Sequence, residues 1–242
     1  MRGLDLLIVP DTGPMHIAAW LGVPILNISI GPVNAWETAP FSPGHYVLRP
    51  ALSCAGCWSC TQPEPWCKKY TSADKVADIA SRLLAGKANE LSELPLPGKH
   101  LFLTGRDRLG LFDLQPVSTI RKEHLQRSRF WKYFFGAALG AFPNDEESSA
   151  RLAEFSLALQ EDGLSEKIKK YGNLLLKHLL EAATNPEKSA LQCPDFWLDF
   201  PPLLRPLSSY AQLLVQNELF SRPSVLQGIN LVERFMNQFK TN

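Results

Sequence analysis

Two rhythms of apolar and polar positions divide this chain. Over residues 4 to about 90, short apolar runs bounded by turn residues predict strands, with helical stretches between them. Residues 4–9 and 23–30 are such runs, and Pro24 stands at the start of the second, where a strand tolerates it. Residues 46–48 predict a third strand, and residues 15–21 read as a helix. Another helix begins after Ser72, a plausible N-cap, with Val76, Ile79, Ala80, Leu83 and Leu84 at helical spacing and Gly86 as its stop.

Residues 88–100 have the composition of a linker, and two short apolar runs around Gly105-Arg106-Asp107 suggest a β-hairpin. From about residue 119 the rhythm is helical. Phe130, Trp131, Phe134, Phe135, Ala137 and Ala138 share a broad apolar face before a break at Pro143-Asn144-Asp145. A helix over 148–162 aligns Leu152, Phe155 and Leu159 and ends at Gly163. Leu164, Ile168, Tyr171, Leu175 and Leu179 repeat at spacings of four and three. A proline-rich crossing precedes two last helices, near 207–220 and 223–240, the second with Leu226, Ile229, Met236 and Phe239 along one side. The expectation is an α/β segment over 1–90, a linker with a hairpin over 91–118, and an all-α segment over 119–242.

Composition narrows the function classes. The chain has 242 residues, 45% of them hydrophobic, enough for a buried core. A formal net charge of +1 gives no field for nucleic acid, which is not expected as a partner. No apolar stretch approaches the roughly 18 residues that a membrane span needs. The first residues turn polar too soon for a signal peptide, so a cytoplasmic protein is expected. Asn27-Ile28-Ser29 matches a glycosylation acceptor but falls inside a predicted buried strand.

The stretch "PDTGPMHIAAWLGVPILNISIGP", residues 10–32, has the physical form of a phosphate site. A strand delivers the chain to a turn at Asp11, Thr12 and Gly13, and Pro14 suits the first helical position. Unpaired amides and the positive end of a helix dipole then point at one spot. Thr12 can add a hydroxyl and His16 an imidazole N–H, while Gly13 admits an anion close to the backbone. Asp11 would orient Thr12 or His16, or accept from a sugar hydroxyl. The plainer reading is a capped helix with a surface histidine.

The same residues resemble the signature of the heptosyltransferases, glycosyltransferase family nine, in Asp11, Thr12, Gly13, His16, Ala18, Ala19, Leu21, Gly22, Pro24 and Gly31. The resemblance covers residues 3–86 and corresponds to the last part of the family's C-terminal, donor-binding domain. It implies a Rossmann-like domain of the GT-B architecture, an ADP-sugar donor such as ADP-heptose, and a role in lipopolysaccharide core or related glycan synthesis. Asp11, Thr12, Gly13 and His16 would surround the donor diphosphate, stabilising it as it leaves with no cofactor required. The acceptor domain and its general base have no counterpart here, so no catalytic residue is assigned and a truncated or split member is implied. A relic donor domain acting as a binding or assembly module is the alternative. The strand at 4–9 would be an apolar sheet edge, to be covered by the helical half, an upstream acceptor-domain polypeptide or a second copy.

Five cysteines include Cys54, Cys57, Cys60 and Cys67 in a loop over 53–68. Four thiolates so close could hold zinc or an iron–sulfur cluster. The alternative is a loop of reduced cysteines that packs. The family resembles this chain in having a cysteine-rich loop here, with a wider middle spacing. In the helical half, Arg121, Lys122, Arg127, Arg129 and Lys132 stand among aromatic residues. That face could rest on an anionic membrane at the inner side of the inner membrane or bind phosphate, although a core helix with its charges in water is the favoured reading.

Overall fold

The computed structural model of the protein describes residues 3–52, 54, 56–57, 60, 62–118, 122–142, 146–161 and 164–239. The chain divides into two compact units, Met1–Arg121 and Lys122–Asn242. The breaks expected at 143–145 and at Gly163, together with Arg121, lie outside the described residues.

The first unit is an α/β fold on one five-stranded mixed sheet. Its strands, β1 (Leu7–Pro10), β2 (Ile25–Ile28), β3 (Tyr46–Pro50), β4 (Lys99–Arg106) and β5 (Phe112–Pro116), lie side by side in chain order. β1, β2 and β3 are parallel, and β4 and β5 continue the sheet antiparallel. The helices are α1 (Gly13–Trp20), α2 (Ala35–Thr38), α3 (Trp66–Lys69) and α4 (Ala73–Leu84). Side-chain alternation sends successive residues of the strands to opposite faces. Leu7, Val9 and Ile25 cluster with Met15 and Ala18 of α1, and Val47, Phe102 and Leu114 with Ala35 of α2. Leu26, Leu48 and Leu101, one position along, cluster with Ile79 and Ala80 of α4 and with Leu91 of a 3₁₀ turn over Ala88–Glu93.

Residues 99–116, expected as linker and isolated hairpin, are two strands of this sheet. β4 pairs with β3 through Leu48↔Leu101 and Val47↔Phe102, so tertiary pairing supplies what local composition did not. The turn also falls later than expected. Gly105 and Arg106 belong to β4, and Asp107 Oδ1 accepts from the N–H groups of Leu109 and Leu111, both at 2.9 Å. This is the local hydrogen bonding that makes aspartate a turn residue. Leu84, on the expected apolar stripe of α4, is exposed.

β1 forms one edge of the sheet, and Leu4 and Ile8 are nearly half exposed there. On α1, Ile17 is exposed and Trp20 is 91% exposed.

The second unit is helical: α5 (Lys122–Ala138), α6 (Glu146–Glu161), α7 (Ser165–Thr184), α8 (Pro194–Leu198), α9 (Arg205–Asn217) and α10 (Arg222–Asn237). Phe130 is fully buried and rings with Trp131, Phe134, Phe235 and Phe239. The Trp131 indole donates to Leu203 O at 3.2 Å and that of Trp197 to Leu191 O at 2.8 Å, satisfying both buried N–H groups. The buried line of α10 is Val225, Ile229, Val232 and Phe235, whereas Leu226, expected on that side, is half exposed. Arg127, Arg129 and Lys132 are half-buried and engaged by other groups. No described helix is long and apolar enough to cross a membrane.

Candidate functional site

Because β1, β2 and β3 run parallel, their carboxyl ends bring Asp11, Ser29 and Arg49 to one margin of the sheet. In open α/β sheets that margin is where ligands bind.

Asp11 follows β1 directly. Its Oδ1 accepts from the Thr38 hydroxyl at 3.3 Å, and its buried Oδ2 has no hydrogen-bond partner. Burial holds this carboxyl above the ordinary aspartate range, against the Arg49 charge and the polar groups of Asn27, Thr38 and Ser29. Asp11 therefore orients neither Thr12 nor His16. The short α2, capped by Asn34 through the Trp36 N–H, brings Thr38 to it instead.

Thr12 is the N-cap of α1 in extended conformation, and its hydroxyl donates to Pro10 O at 3.3 Å. Pro14 has no amide hydrogen, and the Met15 N–H donates to Thr12 O at 3.1 Å. Gly13 N–H makes no backbone hydrogen bond with the described residues. Gly13 is exposed, and apart from its chain neighbours and its own helix backbone no atom lies within 4 Å of where a Cβ on it would stand. His16 is exposed one turn in, and its ring makes no hydrogen bond with the described residues. The mouth of α1 is accessible, and of its amides that of Met15 is already engaged.

Beneath α1, Asn27 is fully buried and donates to Val9 O at 3.3 Å and to Met15 Sδ at 3.0 Å. It ties β2 to β1 and to the helix, and no glycan could reach it.

The cysteine loop lies over the end of β3. Cys54, Cys57 and Cys67 are half-buried and Cys60 is exposed, all as free thiols. They line one cleft of about 200 Å³ with Ser29, Gly31, Arg49, Leu52, Trp66 and Lys68. Burial pushes the Cys54 and Cys57 thiols up. Among the described residues no group of three or more His, Cys, Asp or Glu is arranged to hold a metal ion. Cys67 Sγ accepts instead from the Gly31 N–H at 3.1 Å.

Arg49 forms the inner end of the cleft. It is 6% exposed, its Nη1 donates to Ser29 Oγ at 3.3 Å, and its Nη2 donates to Val33 O at 3.0 Å. Burial lowers its pKa, while the charge of Asp11 and the thiols of Cys67, Cys57 and Cys54 act the other way.

No family model matches this chain, and no curated protein or solved structure matches it at a significant level.

Sequence reasoning found the turn at Asp11 and the cysteine loop but passed over Ser29, Thr38 and Arg49. A signal for Arg49 was present: an arginine directly extends the apolar run of β3 before Pro50, where a charge must be buried or turned aside.

Proposed function

We propose that residues 3–86 are the donor-diphosphate-binding part of a glycosyltransferase of the heptosyltransferase type, acting on an ADP-sugar in lipopolysaccharide core or related glycan synthesis. The observation that carries this reading is the exposed Gly13 at the mouth of α1, placed directly after the Asp11-Thr12 turn at the carboxyl end of β1. Gly13 N–H would donate to a phosphoryl oxygen, the exposed Thr12 hydroxyl would do so by giving up its bond to Pro10 O, and His16, exposed one turn along, would add an imidazole N–H. In the transfer, an acceptor hydroxyl attacks the anomeric carbon as its bond to the diphosphate oxygen breaks. Donors aimed at that oxygen stabilise the charge it gains. The acceptor hydroxyl's proton needs a base, which an upstream acceptor-domain polypeptide would bring.

One observation favours a second reading, a binding module without transfer. Asp11, the carboxyl that directly precedes the helix mouth, has Oδ1 engaged by the Thr38 hydroxyl and Oδ2 buried, so neither oxygen is presented to an acceptor hydroxyl.

Titration calorimetry with ADP and ADP-heptose tests the site. Binding is expected in the wild type and should weaken about tenfold, roughly 1.4 kcal/mol, in each of Thr12→Val and His16→Ala. A wild-type chain that binds neither nucleotide overturns both readings. Sugar transfer measured with and without a separately supplied acceptor domain then decides between them.

A further inference from the structure

Among the described residues Arg49 has no counter-ion at contact distance. Two of the five N–H groups of its guanidinium serve Ser29 and Val33, and among the described residues no carboxylate forms an ion pair with it. Asp11 acts on it only from beyond that range, with Oδ1 occupied by Thr38. A buried cation left this way is costly unless an anion reaches it. The cleft under the cysteine loop is open to such an anion: Arg49 lines it, Lys68 stands on its rim, and Pro32, Leu52 and Trp66 give it apolar walls. The Gly31 N–H faces the same space and donates to a thiol sulfur, a weak acceptor that an oxyanion would replace.

We propose that this cleft is a binding site for a compact oxyanion of phosphate type, held by the Arg49 guanidinium and the Gly31 amide. It is a different site from the mouth of α1 and does not depend on the glycosyltransferase reading. The apolar walls raise the strength of the charge-assisted bonds by keeping water away. The cysteines are its walls, so their accessibility reports its occupancy.

The test uses the full-length wild-type protein and follows alkylation of each cysteine by iodoacetamide with mass spectrometry. Inorganic pyrophosphate is the probe, and sodium chloride of equal ionic strength is the control. With about 10 mM pyrophosphate and a Kd of about 1 mM, alkylation of Cys54, Cys57 and Cys67 should slow by about tenfold. Cys193, exposed in the helical unit, should not change. Arg49→Lys should keep part of the protection and Arg49→Gln should abolish it. Protection that persists in His16→Ala places the anion in this cleft, whereas its loss there assigns the anion to the helix mouth and overturns the inference. Equal rates with and without pyrophosphate overturn it too, whether or not Arg49→Gln folds. Thiols protected before any anion is added and released by a chelator would mean that a metal occupies the loop, which also overturns it.

Discussion

The Thr38 hydroxyl donates to Asp11 Oδ1 across 27 positions of sequence, fastening the turn after β1 to α2. The same hydroxyl lies 3.1 Å from Asn34 O, so its one proton is shared between the two acceptors. Asp11 Oδ2 is buried without a hydrogen-bond partner among the described residues, and stability should follow protonation of this carboxyl. Because burial raises its pKa in the folded state above the ordinary 3.8, the contribution of Asp11 is full below that value and is lost as pH rises through the folded-state pKa. Asp11→Asn should therefore gain stability relative to wild type between acid and neutral pH, read from urea midpoints along a pH series. A wild type that gains on the variant as pH rises would show that Arg49 outweighs burial.

His45 should act in the opposite sense. It is buried, with Nε2 at 2.7 Å from Ser42 Oγ and Nδ1 without a hydrogen-bond partner among the described residues. Desolvation lowers its pKa below 6.5, so its contribution is present above that value and is lost as pH falls through the folded-state pKa. His45→Gln should flatten the loss of stability between neutral pH and about pH 5, the range in which histidine titrates. An unchanged slope in thermal melts would count against it.

The edge strand makes a prediction about association. Ile8 is nearly half exposed on β1, whose outer side has no partner strand among the described residues. A charge there should block edge-to-edge pairing. Ile8→Lys should shift any concentration-dependent association toward monomer in sedimentation velocity, at a stability cost under about 1 kcal/mol. Association equal to wild type would place the contact elsewhere.

In the helical unit the ring cluster around Phe130 should dominate. Removing this fully buried side chain leaves Trp131, Phe134, Phe235 and Phe239 without their shared neighbour, and Phe130→Ala should cost about 3–5 kcal/mol. Denaturant unfolding measures this directly, and a cost below about 1 kcal/mol would mean the rings reclose over the gap.

Much of the secondary structure is legible along the chain because it is written in local periodicity. The stripe of Val76, Ile79, Ala80 and Leu83 specifies α4, and the spacing of Ile168, Leu175 and Leu179 specifies α7. Asp11, Thr12 and Gly13 announce a turn because their chemistry is local, whatever lies elsewhere. The candidate site was less legible. Arg49, Ser29 and Thr38 carry no motif, and their meaning comes from sheet pairing and from the loop that lies over β3.

Short-range order, then, was readable in the residues: where helices start, which faces are apolar, and that Gly13 opens a helix. Assembly settled the rest. Whether residues 99–116 were linker or sheet depended on the register of β4 against β3, which no local pattern encodes. The partners of Asp11 and of Arg49 depended likewise on groups far away in sequence. Burial and pairing energies belong to the packed chain, because a side chain's neighbours, and so the cost of its charge, exist only once distant segments have met.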